Sequence, residues 1–79
     1  MKTVRFQVEI DENWLKEMKS LMQECGIRTE KDLINNALTL FRWAVNKRKS
    51  GHEIAAVNRE SNRYIELDMS ALSAIRKSQ

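Results

Sequence analysis

The sequence predicts a small, mainly helical α+β fold: an N-terminal β-strand, two helices and a C-terminal β-hairpin, assembled as a homodimer through an intermolecular antiparallel ribbon. Three observations predict it. Residues 2–10 alternate polar and apolar side chains, the two segments that follow repeat their apolar residues with helical spacing, and each of those segments closes on a glycine, Gly26 and Gly51.

In the first segment Val4, Phe6, Val8 and Ile10 are apolar, while Thr3, Arg5, Gln7 and Glu9 are polar. Successive strand side chains point to opposite faces, so this pattern describes a half-buried strand. A strand must also pair its backbone N–H and C=O groups. The chain reads as helical from there to Gly51, so no strand partner lies close behind. The economical partner is the same strand from a second copy, related by a two-fold axis. The outer face of that ribbon displays Thr3, Arg5 and Gln7 twice.

Length and composition point the same way. A chain of 79 residues is one small domain, and a core of that size alone rarely supplies more than ~3–5 kcal/mol without disulfides, a metal or oligomerisation. Cys25 is the only thiol, which excludes an intrachain disulfide. One Cys and one His (His52) cannot supply an ordinary four-ligand zinc site within a chain. Dimerisation remains. The formal net charge of +3, from 14 basic and 11 acidic residues, suits an anionic partner. No apolar leader opens the sequence, and the longest apolar run, 37–45, is broken by Thr39 and Arg42 and is too short to span a bilayer. The expected setting is cytoplasmic, with no membrane partner.

The helices have their own start and stop signals. Asp11 is placed to cap the first, with Glu12 in its first turn. Trp14, Leu15, Met18, Leu21, Met22 and Cys25 form one apolar stripe, and Gly26 ends the helix where a positive φ is needed. Thr29-Glu30-Lys31-Asp32 fits a variant capping box, with Asp32 in place of the usual Glu or Gln. The second stripe comprises Leu33, Ile34, Ala37, Leu38, Phe41, Ala44 and Val45, widened by Leu40 and Trp43. A helix apolar around more than half its girth is buried on two sides, which again points to a dimer interface. This helix is expected to run to about Lys49, with Arg42, Lys47, Arg48 and Lys49 at its C-terminal end as solvated charge.

Beyond Gly51 the runs 53–57 and 63–67 are short and β-like, separated by the turn-prone 58–62, and predict a hairpin. Ser70 is placed to cap a final short turn through Ala71, Leu72 and Ile75, and residues 76–79 are expected to fray. The division is thus a domain at 1–51 and a hairpin extension at 52–79 that packs on it or binds a partner.

The order strand, helix, glycine turn, capped helix resembles the ribbon-helix-helix family, the MetJ/Arc type of DNA-binding dimer. The resemblance covers about two thirds of the chain and is densest over residues 26–38, where Gly26, Thr29, the apolar pair Leu33-Ile34 and the small Ala37 fall at the family's positions. It implies that the ribbon lies in the major groove of double-stranded DNA and that Thr3, Arg5 and Gln7 contact bases. The residue types suit the role: Arg bonds bidentately to guanine and Gln to adenine, each pair discriminating by ~1–3 kcal/mol. The resemblance further implies that the start of the second helix holds a phosphate, at Thr29 and Glu30 with Arg28 and Lys31 alongside, and Lys2 adds a backbone contact. Glu9 and a single ribbon arginine per protomer set a modest affinity per dimer, which adjacent dimers on tandem sites would raise.

The remaining distinctive residues have structural readings. Trp14 and Trp43 are expected in core and interface, Cys25 as a small buried hydrophobe, His52 as a helix-end residue, and Tyr64 packed from the hairpin onto the helices. No catalytic constellation is present: there is one His, no nucleophile elbow and no glycine-rich phosphate loop. Neither an enzyme nor a cofactor or metal is expected. The function that follows is a homodimeric, sequence-specific transcriptional regulator, expected to act as a repressor. Its alternatives are an antitoxin-type regulator that binds a toxin through residues 52–79, and an interaction module that keeps the fold without binding DNA.

Overall fold

A computed structural model describes residues 2–76. It is a small, mainly helical α+β structure: α1 (Glu12–Cys25), α2 (Glu30–Lys49), β1 (Ala55–Asn58), β2 (Arg63–Glu66) and a single-turn α3 (Ser70–Ser73). The chain divides into two units, Met1–Ile34 and Asn35–Gln79, whose boundary falls inside α2.

In the first unit, each end of α1 is fixed by the residue the sequence provides for it. The Asp11 carboxylate accepts the Trp14 N–H at 3.0 Å, and the Asp11 carbonyl accepts the Leu15 N–H at 3.0 Å. At the other end Gly26 takes φ 68°, its N–H donates to the Gln23 carbonyl at 3.3 Å, and the Ile27 N–H donates to the Met22 carbonyl at 2.8 Å. These two bonds are a Schellman motif, which pairs carbonyls that a helix end otherwise leaves open. It also joins the buried Met22 to the half-buried Ile27 through a backbone bond.

In the second unit, α2 ends by the same device. Gly51 has φ 88°, its N–H donates to the Arg48 carbonyl at 3.0 Å, and the His52 N–H donates to the Lys47 carbonyl at 2.9 Å. His52 is therefore the residue that completes the helix cap. The strands β1 and β2 pair antiparallel in the register Ala55↔Glu66, Ala56↔Ile65, Val57↔Tyr64 and Asn58↔Arg63, and the Leu67 N–H extends the ladder to the Ile54 carbonyl at 2.7 Å. The Asn58 side chain shapes the loop by accepting the N–H groups of Glu60 (3.1 Å) and Ser61 (3.3 Å), and Asn62 takes φ 56°. This is Asx-turn chemistry followed by a left-handed residue that Asn tolerates.

Several expectations are corrected. The hairpin is present, but its strands run over Ala55–Asn58 and Arg63–Glu66, so the first starts and ends later than expected and the second ends one residue earlier. Ser70 is the first residue of α3 and not its cap; extended Met69 occupies the cap position with no side-chain bond to the helix. The short turn is instead anchored by buried Leu72, whose carbonyl accepts the Arg48 Nε–H at 3.4 Å. Arg48 and Lys47 are accordingly half-buried and not fully solvated. Cys25 is exposed, because it is the last helical residue and the chain reverses at Gly26 before another turn can cover it. Tyr64 is 70% exposed and does not pack onto the helices; Ile65 beside it is 74% exposed, so neither face of β2 is covered. Trp14 and Trp43 are also exposed within a single chain and contribute to no core there. Of the expected frayed tail, residues 77–79 lie outside the described residues.

Among the described residues, the buried apolar side chains are Met22, Ala44 and Leu72. That is a very small core for a chain with two amphipathic helices. No helix of the described residues is long and apolar enough to cross a membrane.

Candidate nucleic-acid interface

Of the residues expected to meet a phosphate, Arg28, Thr29, Glu30 and Lys31 come together at the start of α2, and local chemistry explains why, whereas Lys2 lies on the segment before α1. The Gly26 reversal leaves only Ile27, Arg28 and Thr29 before the helix begins at Glu30. Thr29 then caps it: its hydroxyl accepts the Asp32 N–H at 3.1 Å, and its carbonyl accepts the Leu33 N–H at 3.1 Å. The capping half of the expected box is thus present. Because the ladder opens with Leu33, the N–H groups of Glu30 and Lys31 precede the first intrahelical bond and can face an acceptor outside the helix. Arg28, Thr29, Glu30 and Lys31 are all exposed.

The electrostatics of this helix end are mixed. Arg28 and Lys31 supply positive charge beside the positive end of the helix dipole, and Glu30 and Asp32 sit in the same first turn. The acidic pair stabilises the helix on its own, so an anion binding here relies on the two cations and the backbone N–H groups.

The residues expected to read bases lie on the segment before α1. Lys2, Thr3, Arg5 and Gln7 are exposed. Within one chain, residues 2–10 form no strand, and among the described residues none pairs with them as one. Their apolar partners in the alternation are exposed too: Val4 is 87%, Phe6 80% and Val8 62% open to solvent. Among the described residues the expected strand therefore finds no strand partner, and its apolar side stays largely uncovered.

Other surface chemistry is sparse. Among the described residues there is no group of three or more His, Cys, Asp or Glu side chains placed to hold a metal ion. Arg48, Glu66 and Asp68 share the lining of one cavity in the second unit. The sequence does not single out the two carboxylates, because a cavity formed by residues about twenty apart leaves no local pattern. No family model, no curated protein and no solved structure matches the chain.

Proposed function

We propose that the protein is a sequence-specific DNA-binding regulator of the ribbon-helix-helix type, acting as a homodimer whose paired N-terminal strands enter the major groove. The observation that carries this reading is the segment 2–10. Its apolar side (Val4, Phe6, Val8, Ile10) is largely uncovered in a single chain, and its polar side bears Thr3, Arg5 and Gln7. An antiparallel two-fold ribbon answers both needs at once. It pairs the backbone of each strand, and it turns the apolar rows of both toward the helices. The polar row then faces outward as a two-stranded ribbon of the width a major groove admits.

In that arrangement Arg5 and Gln7 supply the base-reading donors and acceptors, with Thr3 beside them, and Lys2 contacts the backbone. The capped start of α2 fixes the dimer on a phosphate through the N–H groups near Thr29 and Glu30, helped by Arg28 and Lys31. Phosphate contacts position the protein and the ribbon specifies the sequence. Repression follows from occupancy of a promoter, and cooperation between adjacent dimers would strengthen it.

Selection of bound sequences from a random duplex pool, with wild type and Arg5→Ala in parallel at one fixed salt concentration, tests this reading. A short two-fold-symmetric or tandem motif enriched by wild type and lost with Arg5→Ala is the expected result. Retention of DNA without enrichment would contradict base reading, and no retention by a verified dimer would leave an interaction module.

A second reading adds a protein partner, as in antitoxins, and one observation favours it: Val57, Tyr64 and Ile65 of the hairpin are all strongly exposed. Co-expression with the product of a neighbouring gene, with full-length protein and with a form lacking residues 52–79, tests it. A stable complex only with the full-length chain is expected on this reading, and equal capture by both forms contradicts it.

A further inference from the structure

The second unit contains a cavity of about 290 Å³ lined by Arg48, Ile54, Glu66, Leu67, Asp68, Leu72 and Ser73. Its lining divides chemically into three parts. Ile54, Leu67 and Leu72 are its apolar members, with Leu72 buried, Ile54 half-buried and Leu67 exposed. Arg48 is half-buried at the end of α2, and its Nε–H is engaged on the Leu72 carbonyl at 3.4 Å. Glu66 and Asp68 supply two carboxylates, and among the described residues neither forms an ion pair with Arg48 or any other cation within 4.0 Å.

Arg48 and the two acidic residues line one cavity without pairing with one another, beside three apolar residues, and fit a ligand that carries both charges. We propose that this cavity binds a free α-amino acid with an apolar side chain. The ligand carboxylate meets the terminal N–H groups of Arg48, whose fork geometry suits it. The ligand ammonium meets Glu66 and Asp68, and its side chain covers Ile54, Leu67 and Leu72. The volume admits a small metabolite. A ligand of one charge sign would satisfy one wall and be repelled by the other. The proposal does not depend on the DNA-binding reading, because the cavity lies wholly within the second unit.

Isothermal titration of the full-length protein with each of the twenty free L-amino acids tests it, followed by the N-acetyl and carboxamide forms of the best binder. The expected result is saturable binding that favours an apolar amino acid such as leucine and weakens about tenfold or more when either charge is blocked, each block removing a charge-assisted hydrogen bond. Arg48→Gln should weaken the free amino acid by a similar factor while leaving binding of the carboxamide form unchanged. Asp68→Asn should do the same with respect to the N-acetyl form. Thermal unfolding of both variants checks that the fold is intact, and Asp68→Asn, at an exposed position, keeps the test valid if Arg48→Gln unfolds. Absence of binding by all twenty amino acids overturns the proposal, as does equal binding of the free, acetylated and carboxamide forms.

Discussion

Replacing Phe6 by alanine separates a lone chain from a ribbon-paired dimer with a large margin. In a single chain the Phe6 side chain is 80% exposed, so truncating it there removes little buried surface and costs within about 0.5 kcal/mol, as for an ordinary surface site. In the paired ribbon the same ring lies on the inner face, where Phe→Ala costs ~3–5 kcal/mol. Two-fold symmetry counts that loss twice, for about 6–10 kcal/mol per dimer, or four or more powers of ten in the dimer dissociation constant. Sedimentation equilibrium at micromolar protein reads the difference directly. Urea unfolding at several concentrations gives a second reading, because a midpoint that rises with concentration marks dimer-linked folding. The expected outcome is a dimeric wild type and a Phe6→Ala variant that is monomeric or unfolded. A variant that sediments and unfolds like wild type would refute the reasoning that this face is covered by a second copy.

Other outcomes follow from single interactions. Thr29→Ala removes the acceptor of the Asp32 N–H and should lower stability by about 1 kcal/mol per chain, measured by urea denaturation, with Thr29→Ser retaining most of it. Gly26→Ala places a Cβ in open space, with no heavy atom within 4 Å, but at φ 68°. It should therefore cost about 1 kcal/mol from backbone strain alone, read by the same denaturation. Arg28→Ala and Lys31→Ala should weaken DNA binding evenly across sequences. Each should also flatten the logarithmic salt dependence by about 1 for every phosphate no longer neutralised, as read by fluorescence anisotropy over a salt series.

The parts of the fold that are legible in the sequence are those fixed by one residue and its near neighbours. Asp11 and Thr29 cap the helices they precede, and Gly26 and Gly51 close the helices they follow. In each case the deciding bonds span five residues or fewer. The hairpin is legible because Asn58 and Asn62 mark its loop. What covers each apolar side chain is not legible. A stripe shows which residues share a face, and it assigns Cys25 to a covered face that the helix end leaves open; Tyr64, expected to pack on the helices, is exposed with the rest of β2. Ser70 misleads because a serine before an apolar run also fits one position inside the first turn, where it is found. In the candidate interface, residues 28–31 are legible as a helix start, and the structure places them there. The segment 2–10 shows its alternation in sequence and its exposure in structure, and the proposed ribbon would pair it with a second chain.

The direct measurement is an isotope-filtered NMR experiment on a dimer mixed from ¹³C-labelled and unlabelled chains, observing proximities between the two copies. Antiparallel pairing of residues 2–10 predicts intermolecular Hα–Hα signals within this segment, symmetric about one residue, because directly opposed strand residues lie closest at non-hydrogen-bonded pairs. A stable dimer whose intermolecular signals fall entirely outside residues 2–10 would contradict the ribbon, and with it the surface proposed to read DNA.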